Sequence, residues 1–208
     1  YGGIDSKTLS EESKFNPKSP YAVGKVFAHE MTKVYRESYD LFCVNGILFN
    51  HESPLRGEEF VTRKIIIGLI KILKKEIEFF ELGNLYAKRD WGYAKAYVEA
   101  MWKMLQMKKP DDYVISTGNT HSIKDFINKA TKYLKMNVPW KGKGLNEKLV
   151  NLDSKKTIIK INPKYFRPAE VNILIGNSKK AQKKLKWKPK TNLDKLIQVM
   201  IDEELKYY

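Results

Sequence analysis

The sequence predicts an α/β fold holding part of a parallel sheet, on three observations. Helical stretches with apolar residues three and four apart alternate with short runs rich in Ile, Val and Phe. The 208 residues, 42% hydrophobic and 30% charged, can bury a core and match soluble globular chains. The strand-like runs are too few for a parallel sheet covered on both faces, so further sheet is expected before Tyr1.

Residues 3–20 hold Gly, Ser, Asn and two prolines and read as a loop. Ser19-Pro20 then opens a helix to about Tyr39, with Ser as N-cap and Pro in the first turn. Residues 41–49 read as a buried strand and 50–59 as a loop, followed by a helix over 61–73. A strand at 77–82 leads to Asp90, which reads as the cap of a long helix reaching Met107. Residues 113–116 form the next strand, and a helix runs from Ser122 to about Met136. Residues 137–156 read as an irregular excursion and 157–161 as a strand; helices near 178–185 and 192–205 close the chain. No G-x-G-x-x-G or G-x-x-x-x-G-K-[ST] phosphate turn occurs.

No apolar run approaches the roughly 20 residues that span a bilayer, and residues 1–10 lack the apolar centre of a signal peptide. Cys43 is the single cysteine, which excludes an internal disulfide and suits a cytoplasmic setting. The net charge of +15 raises the question of nucleic acid, but the basic residues are spread along the chain and no recognition motif accompanies them. Lysine outnumbers arginine 34 to 5, a compositional bias with solvated lysine faces, though a basic pocket for a diphosphate fits as well. Where lysine is used almost everywhere, a remaining arginine points to a need for its planar fork. The five are Arg36, Arg56, Arg63, Arg89 and Arg167. His29 and His121 read as structural, and no metal-ligand spacing is present.

Tyr21 and Lys25 stand four apart on the first helix, nearly opposite an apolar stripe of Val23, Phe27, Met31 and Val34. An ammonium close to a phenol favours the phenolate, which makes such a pair a usable base near neutrality. The spacing alone is weak, since composition predicts roughly two Tyr-x-x-x-Lys matches in this length, and one occurs.

Longer stretches carry more. Residues 16–25, NPKSPYAVGK, resemble the catalytic segment of extended short-chain dehydrogenases. Residues 35–66 (YRESYDLFCVNGILFNHESPLRGEEFVTRKII), 82–92 (LGNLYAKRDWG) and 165–176 (YFRPAEVNILIG) resemble the GDP-mannose 4,6-dehydratase family within that group. The resemblance implies the C-terminal part of an extended short-chain dehydrogenase: a partial Rossmann-like parallel sheet plus a smaller α/β substrate-binding domain. Residues 1–50 would belong to the NADP-binding Rossmann domain, and 51–208 mostly to the substrate domain, with 83–120 returning to the sheet.

By the same resemblance, Tyr21 is the catalytic base, Lys25 holds the nicotinamide ribose, and His51 and Arg56 touch the NADP cofactor. Asn50, Val61, Lys64, Arg89, Arg167 and Glu170 line the GDP-sugar site, where Lys64, Arg89 and Arg167 suit a diphosphate. Plainer roles stand beside these. His51 also suits a turn closed on a carbonyl, Arg89-Asp90 an ion pair at a helix start, and Arg167 and Glu170 a mutual bridge. Arg36 and Arg63 are expected at subunit contacts, and Trp91, Tyr97 and Met101 in core or interface.

The implied reaction is dehydration of GDP-mannose to GDP-4-dehydro-6-deoxymannose, on the route to GDP-fucose-type sugars. The family's Ser/Thr and Glu partners would precede Tyr1, so the 208 residues alone are expected to be inactive. The partners implied are GDP-mannose and further copies of the chain, as dimer or tetramer, with no nucleic acid, membrane or metal. The alternatives are a related nucleotide-sugar epimerase or reductase, and a non-catalytic basic module binding polyanions.

Overall fold

The computed structural model describes residues 1–2, 8–166 and 171–208. They form two compact units, each assembled from separate stretches of chain. The first comprises Tyr1–His51, Lys88–His121 and Ala169–Asn192; the second comprises Glu52–Ala87, Ser122–Pro168 and Leu193–Tyr208. The stretch from Ala169 is a third visit to the first unit, where the sequence suggests only two.

At the centre of the first unit, Asn45–Leu48 pairs in parallel with Asp112–Ile115, Ile47 opposite Val114 and Leu48 opposite Ile115. Alternation sends Tyr113 and Ile115 to one face and Val114 to the other. Tyr113 and Ile115 pack against Tyr97, Ala100 and Met104 of the helix Ala94–Leu105, and against Ala181, Leu185 and Trp187. Trp187 is buried, and its indole N–H donates to the Ala96 carbonyl at 2.8 Å, so that no polar atom of the ring is stranded. Val114 packs with Leu9 and Phe49 on the opposite face. The strand expected over 41–49 is confined to Asn45–Leu48 there, with Asn50–Glu52 as a second short strand.

One expectation fails in this unit for an identifiable reason. Asp90 does not cap the long helix, which begins at Ala94 after a short strand Trp91–Tyr93, with Tyr93 at the N-cap. Asp90 is instead wholly buried. Its Oδ1 accepts from the Thr117 amide at 2.9 Å and hydroxyl at 2.6 Å, and its Oδ2 from the Gly118 amide at 2.9 Å and the Gly176 amide at 3.3 Å. Burial pushes the carboxyl's pKa up, and these donors oppose the rise. Arg36 is held within the chain: its Nη1 donates to Asp112 Oδ1 at 2.9 Å and to the Cys43 carbonyl at 3.2 Å. An isolated arginine in a sequence does not reveal a carboxylate 76 residues away.

The second unit holds a four-stranded sheet ordered Phe80–Leu82, Thr157–Ile161, Lys148–Val150, Trp140–Lys141. The first pair is parallel and the other two antiparallel. The region 137–156 is therefore not a wholly irregular excursion, although its strands of two and three residues are too short for a periodic signal. Buried Glu147 fixes it, accepting from Lys124 Nζ and from the Tyr86 hydroxyl, each at 2.6 Å.

Three helices, Val61–Leu73, Ile123–Tyr133 and Leu193–Glu204, pack on one another in this unit. Ser122 and Asp125 form a reciprocal capping box at the second of them. Gly68 lets the first helix approach the sheet: a Cβ there would sit 2.7 Å from the Phe80 ring. Among the described residues, no helix is long and apolar enough to cross a membrane.

Candidate functional site

Tyr21 and Lys25 lie on the helix Pro20–Tyr39, which starts where Ser19 Oγ accepts the Ala22 amide at 3.1 Å. Pro20 presets the backbone of the first turn, so Tyr21 is in helical geometry from the outset. One turn brings Lys25 Nζ to 5.5 Å from the Tyr21 ring centroid. Tyr21 is 74% exposed, and none of the helix's residues is buried. The pair is thus an open phenol with an ammonium at hand, suited to exchanging a proton with a ligand hydroxyl.

Also in the first unit, His51 stacks on Tyr97 at 5.1 Å between centroids. Its Nδ1 lies 2.9 Å from the Phe49 carbonyl oxygen. A carbonyl only accepts, so Nδ1 carries the proton and Nε2 remains as the ring's other site. Asn50 is half-buried beside it on the strand Asn50–Glu52. Arg89 Nη1 donates to the carbonyls of Val171 at 2.6 Å and Lys88 at 2.9 Å, which ties one terminal nitrogen of its guanidinium to the backbone.

The other candidates belong to the second unit, around the start of the helix Val61–Leu73. Val61 is its first residue, and the Lys64 amide closes the first turn on the Phe60 carbonyl at 2.8 Å. Lys64 Nζ rests 4.5 Å from the Tyr165 ring centroid. Arg56 stacks on Phe60, with Cζ 3.5 Å from the ring centroid, and its Nε faces Glu52 Oε2 at 3.3 Å. Arg167 and Glu170 lie outside the described residues.

Sequence reasoning overlooks Glu52, a buried carboxylate that accepts from the Thr62 hydroxyl at 2.6 Å. The four-residue spacing from Glu52 to Arg56 is its only visible signal. Arg63 is turned inward. Its Nη1 donates to the carbonyls of Pro54 and Arg56, and its Nη2 meets Glu204 Oε2 at 2.6 Å. Among the described residues, no group of three or more His, Cys, Asp or Glu side chains is placed to hold a metal ion.

Comparison with known proteins finds that the family model described as GDP-mannose 4,6 dehydratase matches residues 1–200. A GDP-mannose 4,6 dehydratase of Drosophila melanogaster is 48% identical over 205 residues, 99% of this chain and 52% of the relative. The Homo sapiens protein of that name is 45% identical, over 99% of this chain and 55% of the relative. The chain thus spans about half the length of the curated relatives it matches. Among solved structures, dTDP-glucose 4,6-dehydratase from Bacillus anthracis in complex with NAD superposes with a TM-score of 0.78 at 16% identity, over 99% of this chain and 58% of that one. RMD from Pseudomonas aeruginosa complexed with NADPH gives 0.75 at 16% identity, over 94% and 59%. At these identities the structures establish a shared α/β fold.

Proposed function

The chain belongs to the GDP-mannose 4,6 dehydratase family, and on that premise we propose that it carries proton-transfer and ligand-binding residues for NADP-dependent dehydration of GDP-mannose to GDP-4-dehydro-6-deoxymannose. The observation that carries this is the exposed Tyr21 with Lys25 one turn away, in a chain matched by the family over residues 1–200.

Tyr21 takes the proton of the sugar C4 hydroxyl, and an exposed phenol can meet that hydroxyl without repacking of its helix. Lys25, one turn along the helix, holds the nicotinamide ribose. NADP, when bound, would supply a reversible store for the hydride of C4, so that no cofactor is consumed. The ketone formed at C4 would acidify C5, so that a carboxylate base, expected ahead of Tyr1, could take that proton as the C6 hydroxyl leaves as water.

The residues suit such a cofactor. Among the described residues, the Arg56 Nη atoms donate to no acceptor, and the side chain keeps 25% of its surface exposed, as a phosphate contact requires. His51 is assigned to the cofactor by the resemblance, as Asn50, Val61, Lys64, Arg89, Arg167 and Glu170 are to the GDP-sugar. A homo-oligomer in the cytoplasm completes the proposal, supported by Val23, Phe27 and Val34, which stay exposed on the helix of Tyr21.

The test is conversion of GDP-mannose with NADP+ by the protein that bears this chain, wild type against Tyr21→Phe, read as the 4-keto-6-deoxy product. Formation of that product in the wild type and a loss of roughly 10²–10⁴-fold in the variant are expected. An epimerised sugar, or a variant as fast as the wild type, sinks the proposal.

A further inference from the structure

Two ion pairs, each with a buried carboxylate, tie down the turn over residues 52–60, and no role assigned above uses them. Glu52 is 2% exposed; its Oε2 accepts from Thr62 Oγ1 and faces Arg56 Nε. Phe60 closes one face of the same guanidinium. On the backbone side, Arg63 grips the carbonyls of Pro54 and Arg56 and is held in turn by Glu204, on the helix Leu193–Glu204. The Arg63 and Glu204 side chains are 13% and 8% exposed.

Removing carboxylates from water is costly unless each is matched by a well-placed cation. Here two are matched, by two of only five arginines in a chain with 34 lysines. An ammonium does not substitute for Arg63, which serves two carbonyls and a carboxylate from one rigid fork. Arg56 buries its Nε 3.3 Å from Glu52, a charge contact without a hydrogen bond, and one face of its guanidinium against Phe60, while its Nη edge meets no acceptor among the described residues.

We propose that Glu52 and Arg63 are positioning residues that lock the 52–60 turn, so that Arg56 presents its Nη edge to a phosphate group of the bound dinucleotide. The lock stands on geometry alone; its purpose rests on the cofactor assignment of Arg56.

In the protein that bears this chain, labelled with 15N-arginine, Arg56→Lys and Arg63→Lys each remove one Nε–H signal and so assign it. Glu52→Gln keeps an oxygen for the Thr62 hydroxyl and removes the charge facing Arg56. Solvent exchange of the Arg56 Nε–H should then quicken about fivefold or more, with the midpoint of unfolding little changed. Glu204→Gln should quicken exchange of the Arg63 Nη hydrogens in the same way, since Nη2 is the atom that Glu204 meets. In NADP+ titrations, Glu52→Gln should raise Kd about fivefold or more with Arg56 present, and less than about twofold in an Arg56→Ala background.

Unaltered Arg56 exchange in Glu52→Gln overturns the lock, whatever the cofactor does. Equal weakening with and without Arg56 overturns it too, because the effect then does not run through that residue. An Arg56 signal that is protected, but unmoved when NADP+ is added to the wild-type protein, overturns the phosphate-presenting role and the cofactor assignment while leaving the lock intact.

Discussion

The helices Pro20–Tyr39 and Val61–Leu73 are both amphipathic in sequence, yet the first has no buried residue and the second has seven. On the shorter helix, Ile65, Ile66, Leu69 and Ile70 are each 0% exposed, and Gly68 admits the Phe80 ring against the backbone. On the longer one, Val23 and Phe27 keep 54% and 66% of their surface exposed. An amphipathic pattern says that a face favours cover, not that this chain supplies it. The division is also one of labour: the covered helix holds its unit together, and the open one displays Tyr21 and Lys25.

If that division is right, substitutions on the two helices should have separable consequences. The largest effect is expected of Tyr21→Phe, which should abolish most turnover in the protein bearing this chain while shifting the unfolding midpoint by less than about 1 °C, since most surface substitutions stay within about 0.5 kcal/mol. A large drop in midpoint would break the comparison. Leu69→Ala, on the covered helix, should destabilise by about 2–5 kcal/mol in denaturant titration. Gly68→Ala, whose new methyl meets the Phe80 ring, should cost about 1–3 kcal/mol despite alanine's better helix propensity.

A smaller, pH-dependent effect concerns a carboxylate of the first unit that two lysines hold. Burial alone would raise the carboxyl pKa of Asp111, but hydrogen bonds from Lys180 and Lys184 outweigh it and bring the value from 3.8 to about 2. A depressed carboxylate stabilises the fold above its unfolded pKa and loses that contribution as pH falls through the folded one. Stability should therefore decline between about pH 4 and pH 2, and Asp111→Asn should flatten that part of the curve. The smallest effect is expected of Val23→Ala, within about 0.5 kcal/mol, because the side chain is already more than half exposed.

Much of the fold is legible in the sequence because its signals are local. Ser19-Pro20 and Val61 mark helix starts that the structure keeps, and the strand expected over 157–161 is Thr157–Ile161. Asp90 misleads for a physical reason. An aspartate ahead of an amphipathic run offers a helix cap, but the donors of Thr117 and Gly176, 27 and 86 residues away, draw it into the interior. Arg36 and Arg63 show the same limit. Their scarcity signals that a fork is needed, while the carboxylate that needs it is a matter of folding.

By itself, then, the sequence determined the order of helices and strands, the capping of the Tyr21 helix and the family resemblance, because each rests on neighbours along the chain or on matched stretches. Tertiary structure decided which apolar faces are covered, where Asp90 and the arginines find partners, and that Glu52 is buried behind Arg56. Burial and ion pairing depend on groups far apart in sequence, and only folding brings these together.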